Sequence, residues 1–169
     1  QAITNYSKLI RQFPDSNYVS DAYLALGEHY FSSNSVVKAQ KAYNKAFKIA
    51  SKIGRTGTKM YALYKLAWCD YNTQSYDTAL SKFQQVVGES EQSEARTKIL
   101  GDGTKDSIQL KREALNDMVL TYSQLDQVDP AYTYFKAKAG ADRAFELTDK
   151  LGAIFGAQGK FEQQITTLR

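Results

Sequence analysis

The sequence is short of the residues that most catalytic and metal-binding chemistry requires. It holds one cysteine, Cys69, and one histidine, His29, among 169 residues. A lone cysteine excludes an internal disulfide framework, and one Cys with one His cannot make a zinc site of the usual spacing. Only Pro14 and Pro130 interrupt the chain. The intervals between them are rich in Ala, Leu, Lys and Gln, which lose little entropy in a helix. No apolar run approaches the roughly 20 residues that cross a bilayer, and no charged-then-apolar leader opens the sequence. Acidic residues are missing from the whole interval between Glu28 and Asp70, which instead carries Lys38, Lys41, Lys45, Lys48, Lys52, Arg55, Lys59 and Lys65. The net charge of +4 is therefore a local excess, and the 43% hydrophobic content suffices for a continuous core. An all-α fold is predicted.

Catalytic signals are equally sparse. His29 lies in a helical pattern with no sequence-evident Ser, Cys or metal partner, so a surface or interface role is expected. Gly54 to Lys59 lacks the Gly-Lys-Ser/Thr ending and the preceding strand of a phosphate loop, and Gly54 to Thr58 reads as a linker. The run Asp102 to Asp106 lacks the later bidentate Glu of a calcium loop and reads as a turn. Cys69 has no basic neighbour in sequence to favour its thiolate and reads as a small packed side chain. No catalytic residue, cofactor or metal is predicted. The chain opens on Gln1, and its last residues still read as helix. The expectation is a piece of a longer protein, with any signal peptide or lipid anchor outside it.

What the sequence does hold is a repeat. Tyr23, Leu26, Gly27, Tyr30, Ala39, Tyr43 and Ala46 set out a pattern of large, small and aromatic positions. Leu63, Leu66, Ala67, Tyr76, Ala79, Phe83 and Val86 follow it again, with Asp70 where an aromatic is expected and Tyr71 one place later. Leu115, Met118, Val119, Tyr122, Val128, Ala131 and Phe135 form a third copy, with Pro130 at the start of its second helix, where proline is tolerated. Leu151, Gly152, Phe155, Gly159, Lys160 and Phe161 form a weaker fourth copy. Ala2, Tyr6, Leu9, Phe13 and Pro14 fit the second half of one more. The pattern resembles the tetratricopeptide family, whose unit is a helix-turn-helix of about 34 residues.

That resemblance implies a right-handed superhelical α-solenoid. It comprises a half repeat over 1–16, repeats over about 20–53, 60–93, 112–140 and 145–169, and an insertion over about 94–111. Gly27, Ala67 and Gly152 are expected to let first helices approach their partners, which receive them at Ala39, Ala79 and Ala131. Each repeat covers its neighbour's apolar face, so none is stable alone. The insertion reads as a helix lengthened to about Leu100, a Gly101-Asp102-Gly103 turn, and a new helix capped by Thr104 or Asp106. The phrase from Leu9 to Phe31 is similar to bacterial envelope members of the family, such as the outer-membrane assembly lipoprotein and the periplasmic coordinator of cell division. A periplasmic or outer-membrane-associated location is implied, with a cytoplasmic one as the alternative.

In this family, first helices line a concave groove. The groove positions here are Leu24, Glu28 and Phe31, then Tyr61, Tyr64, Trp68 and Tyr71, then Asn116 and Leu120. The four aromatics recur at three, four and three residues and so share one helix face. They read as a platform for an apolar peptide or helix, or as ordinary packing between repeats. A clamp for a partner's terminal carboxylate is not expected, because only Asn116 offers a compatible group. Lys38, Lys41, Lys45, Lys48 and Lys52 recur by three and four along a second helix, as a solvated outer face or a basic surface. The leading functional reading is a scaffold holding a protein or peptide partner within a bacterial assembly. The alternatives are a basic surface that meets nucleic acid or anionic membrane, and a regulatory region of a larger enzyme.

Overall fold

The computed structural model describes residues 2–100 and 105–168. The described residues form α1 (Ala2–Gln12), α2 (Val19–Ser32), α3 (Val36–Lys52), α4 (Thr56–Asn72), α5 (Tyr76–Leu100), α6 (Lys105–Leu125), α7 (Asp129–Ala139), α8 (Ala141–Ala157) and α9 (Phe161–Thr167), with no strand among them. The fold is an all-α helical repeat. Two compact units divide the chain, Gln1–Lys82 and Phe83–Arg169, and the division falls within α5.

Four of the helix pairs share one turn. After α2, α4, α6 and α8 a residue enters the left-handed region: Asn34 (φ 56°), Gln74 (φ 61°), Asp126 (φ 54°) and Gly159 (φ 72°). The next residue then donates its amide five positions back. Ser35 reaches Tyr30 O at 2.8 Å, Ser75 reaches Asp70 O at 2.9 Å, Gln127 reaches Tyr122 O at 3.2 Å, and Lys160 reaches Phe155 O at 2.9 Å. This is the Schellman closure, which satisfies carbonyls that a helix end leaves without partners. It reverses the chain in three residues and so sets each first helix against its second.

In the first unit, α3 packs against both α2 and α4. Ala39, Ala42, Ala46 and Ala50 are buried along α3 and make a stripe of small side chains, beside which Tyr43 is wholly buried. Gly27 on α2 faces that tyrosine. A Cβ there would stand 2.5 Å from Tyr43 Cδ1 and 2.9 Å from Cζ, so only glycine allows the crossing. The α3–α4 connection is shorter than the Gly54 to Thr58 linker expected from the sequence, because Thr56 to Thr58 already belong to α4. Asp21 on α2 is the reason. Its carboxylate accepts from Arg55 Nη1 at 2.5 Å and from Thr58 Oγ1 at 2.9 Å, and Gly54 (φ 75°) makes the reversal.

In the second unit, Leu115, Met118, Val119 and Tyr122 of α6 meet Ala131 and Phe135 of α7, all buried, with the Tyr122 and Phe135 rings edge-on at 5.5 Å. Pro130 sits in the first turn of α7, where its missing amide costs nothing. Leu147, Leu151 and Phe155 carry the core into α8. Much of the expected insertion is regular helix, since α5 runs to Leu100 and α6 begins at Lys105. The Gly101-Asp102-Gly103 turn and the Thr104 cap lie outside the described residues, as does the side chain of Asp106.

Candidate functional site

Helix α4 has few strong helix breakers and carries Tyr61, Tyr64, Trp68 and Tyr71 on one face, each half-buried. The rings pair with neighbours. Tyr61 and Tyr64 have centroids 6.1 Å apart, Trp68 and Tyr71 5.4 Å, and Tyr71 and Tyr76 of α5 5.4 Å, the last two pairs edge-on. Edge-on geometry places a positive ring edge against a negative ring face. Burial, followed by the neighbouring Tyr76, pushes the Tyr71 hydroxyl above its ordinary pKa.

The adjoining helix α2 contributes Leu24, Glu28 and Phe31. Leu24 and Phe31 are partly buried against a core cluster of Ala39, Tyr43, Leu66 and Cys69, which leaves only their outer edges to a ligand. Glu28 is engaged on both oxygens, accepting from the Tyr43 hydroxyl at 2.7 Å and pairing with Lys65 Nζ at 3.2 Å. Burial, with that hydrogen bond, raises the Tyr43 hydroxyl far above its usual range. Lys65, which in the sequence is only the last member of the basic stretch, ties the two helices together. Its ammonium lies 4.5 Å from the Phe31 ring centroid, 5.9 Å from Tyr43 and 6.0 Å from Tyr61. Its side chain is 14% exposed. A cation placed so is neutralised by Glu28 and by the ring quadrupoles, and the face is aromatic rather than charged.

Behind the aromatic row, Asp70 explains its departure from the repeat pattern. It is buried, ion-paired with Lys82 of α5, and accepts from Gln40 Nε2 of α3 at 2.9 Å. The carboxylate thus ties three helices where an aromatic was expected. Cys69 beside it is wholly buried. Burial, then the neighbouring Asp70 charge, pushes the thiol up to about 12 despite Lys65 and Lys82.

Lys38, Lys41, Lys45, Lys48 and Lys52 are all exposed on α3. Lys38 lies 5.8 Å over the Tyr30 ring and Lys45 5.6 Å over Tyr23. In the second unit, Asn116 of α6 donates to Arg112 O at 2.9 Å. It also accepts from Arg143 at 2.9 Å and Lys150 at 3.4 Å, two α8 cations that the sequence reading did not connect with it. Leu120 is 36% exposed. His29 is exposed, with its ring 5.7 Å from Tyr30. No group of three His, Cys, Asp or Glu among the described residues could hold a metal.

Residues 61–93 match the tetratricopeptide repeat family, over most of α4 and most of α5. The aromatic row and the Asp70–Lys82 pair fall inside that segment. No curated protein matches the chain. Among solved structures, the crystal structure of BtubC (BKLC) from P. vanneervenii is similar in fold, with a TM-score of 0.65 at 14% identity, covering 97% of this chain and 68% of that one. The family match supports the tetratricopeptide reading, and repeats of this family generally mediate protein–protein interaction and are typically non-catalytic.

Proposed function

We propose that the chain is a protein-interaction module that seats an apolar peptide or helix of its partner on the α2–α4 face, anchored by Trp68 and Tyr64. The observation that carries this reading is the row of four half-buried rings on one helix, with ring contacts between Tyr61 and Tyr64 and between Trp68 and Tyr71 and with the neutralised Lys65–Glu28 pair beside Tyr61. Rings held by their neighbours lose little freedom on binding, and Tyr and Trp are the residues most often found as interface anchors. Leu24, Phe31 and Tyr61 supply the apolar margin. Because the face carries no unneutralised charge, its affinity is expected to vary little with salt.

Peptides selected from an unbiased display library on the whole chain test this. Trp68→Ala is expected to weaken the selected apolar peptides by roughly 10- to 30-fold, the equivalent of about 2 kcal/mol. Unchanged affinity rejects the site. The bacterial envelope setting belongs to the same proposal, on the likeness of Leu9 to Phe31 to envelope family members. Fractionation of cells expressing the full-length gene tests it, and recovery in the cytosol rejects it.

A further inference from the structure

A second surface of the first unit has a different chemistry. Between α1 and α3 runs an open groove of about 850 Å³, floored by Ile10, Val19, Tyr23 and Ile49 and edged by Lys41, Lys45 and Lys48. It continues into a recess of about 260 Å³ that shares Tyr23, Lys41 and Lys45 and adds Leu26, Tyr30 and Lys38. From Lys38 to Lys48 the lysine edge spans roughly 15 Å at 1.5 Å per residue, between two and three helical turns.

The charged residues that line this groove and recess are all lysines, and the exposed Asp15 follows the lining Pro14 in the α1–α2 connection. Neither α1 nor α3 contains a carboxylate. Of the two on α2, Asp21 is held by Arg55 and Thr58, and Glu28 by Tyr43 and Lys65. None of Lys38, Lys41, Lys45 and Lys48 has an ion pair among the described residues. A cation row along an apolar trough is complementary to a segment with carboxylates on one side and apolar side chains on the other. Lys45 and Lys38 each lie over one face of the Tyr23 and Tyr30 rings, which disfavours stacking of a nucleobase there. The apolar atoms also lie in a recess rather than on a protruding ridge, which disfavours a lipid surface.

We propose that the α1–α3 groove is a second docking surface, for an acidic amphipathic peptide that lays its apolar side chains on Ile10, Tyr23 and Ile49 and its carboxylates along Lys38, Lys41, Lys45 and Lys48. This surface does not depend on the α4 face, and the two can fail separately.

The test is fluorescence anisotropy with the whole chain. The probe is a labelled helical peptide with Glu flanking a Leu and Phe stripe. It is compared with a scrambled version, polyglutamate of equal charge, a single-stranded oligonucleotide and anionic phosphatidylglycerol vesicles. The amphipathic peptide is expected to bind at least about tenfold more tightly than its scrambled version or polyglutamate, and to weaken as salt shortens the Debye length from about 10 Å at 0.1 M to about 3 Å at 1 M. Simultaneous K41E, K45E and K48E, on an exposed helix face, are expected to reduce binding at least tenfold with the helical circular dichroism unchanged, while W68A leaves it unaltered. The proposal is overturned if polyglutamate binds equally well, if the oligonucleotide or the vesicles bind more tightly than the peptide, if the lysine reversals have no effect, or if W68A abolishes binding.

Discussion

At the scale of single residues, the fold depends on positions where one side chain fits. Gly27 is one. Tyr43 cannot retreat from an added methyl group, because its hydroxyl is held by Glu28 and its ring is wholly buried. Gly27→Ala is therefore expected to cost about 1–3 kcal/mol in urea unfolding, the usual range for overpacking. Gln74 is the converse case. It takes the left-handed conformation that Asn34, Asp126 and Gly159 take in the equivalent turns, without the short side chain that makes Asn and Asp tolerant of it. Gln74→Gly should gain roughly 0.5–1 kcal/mol in the same measurement, and a loss would mean that the turn is not strained. Cys69, with its pKa pushed up to about 12, stays a thiol at neutral pH. A thiol-specific disulfide reagent at about pH 8 should label it only after unfolding. The raised pKa also means that its contribution to stability is complete below the unfolded value of about 8.5 and is lost as pH rises from there towards 12.

At the scale of elements, helices are joined by charges that the linear sequence does not connect. Glu91 of α5 accepts from Lys138 of α7 at 2.8 Å and lies 3.3 Å from Lys111 of α6. Burial opposes its ionisation, but the two ammonium groups outweigh it and hold the carboxyl below its ordinary value. A depressed folded pKa contributes stability above the unfolded value of about 4.3, and that stability is lost as pH falls through the folded pKa. Glu91→Gln should cost on the order of 1 kcal/mol at pH 6, discounted for partial exposure. The gap from the unaltered protein should close as the pH falls below 4. A gap independent of pH would remove the ion triad from the account.

Ala39 and Ala46 of α3 and the aromatic row of α4 were legible in the sequence because they are periodic, and the extension of α5 to about Leu100 because the spacing between repeats exceeds the family's unit. The Lys65 bridge, the Asp70–Lys82 pair and the Glu91 triad were not, since each depends on side chains that only packing brings together. Asp70 left a trace as a break in the repeat pattern, which marked the position without disclosing its partners. The early start of α4 was missed for a similar reason, because Asp21, more than 30 residues upstream, fixes Arg55 and Thr58 in place.

At the scale of the whole molecule, the chain is an all-α helical repeat whose first unit presents two faces of unlike chemistry, one aromatic with its charges satisfied, the other apolar and edged by lysines that have no ion pair among the described residues. The distinction gives each face its own dependence on salt. Whether the α4 aromatic face seats a partner peptide is decided by a titration, at about 1 M salt, of peptides selected from an unbiased library on the whole chain, since a Debye length of about 3 Å suppresses the lysine surface. The selected peptides should be rich in apolar and aromatic residues and should lose roughly 10- to 30-fold in affinity with Trp68→Ala and little with combined Lys41→Glu, Lys45→Glu and Lys48→Glu. Binding that survives Trp68→Ala and vanishes with the lysine reversals would contradict seating on the α4 face.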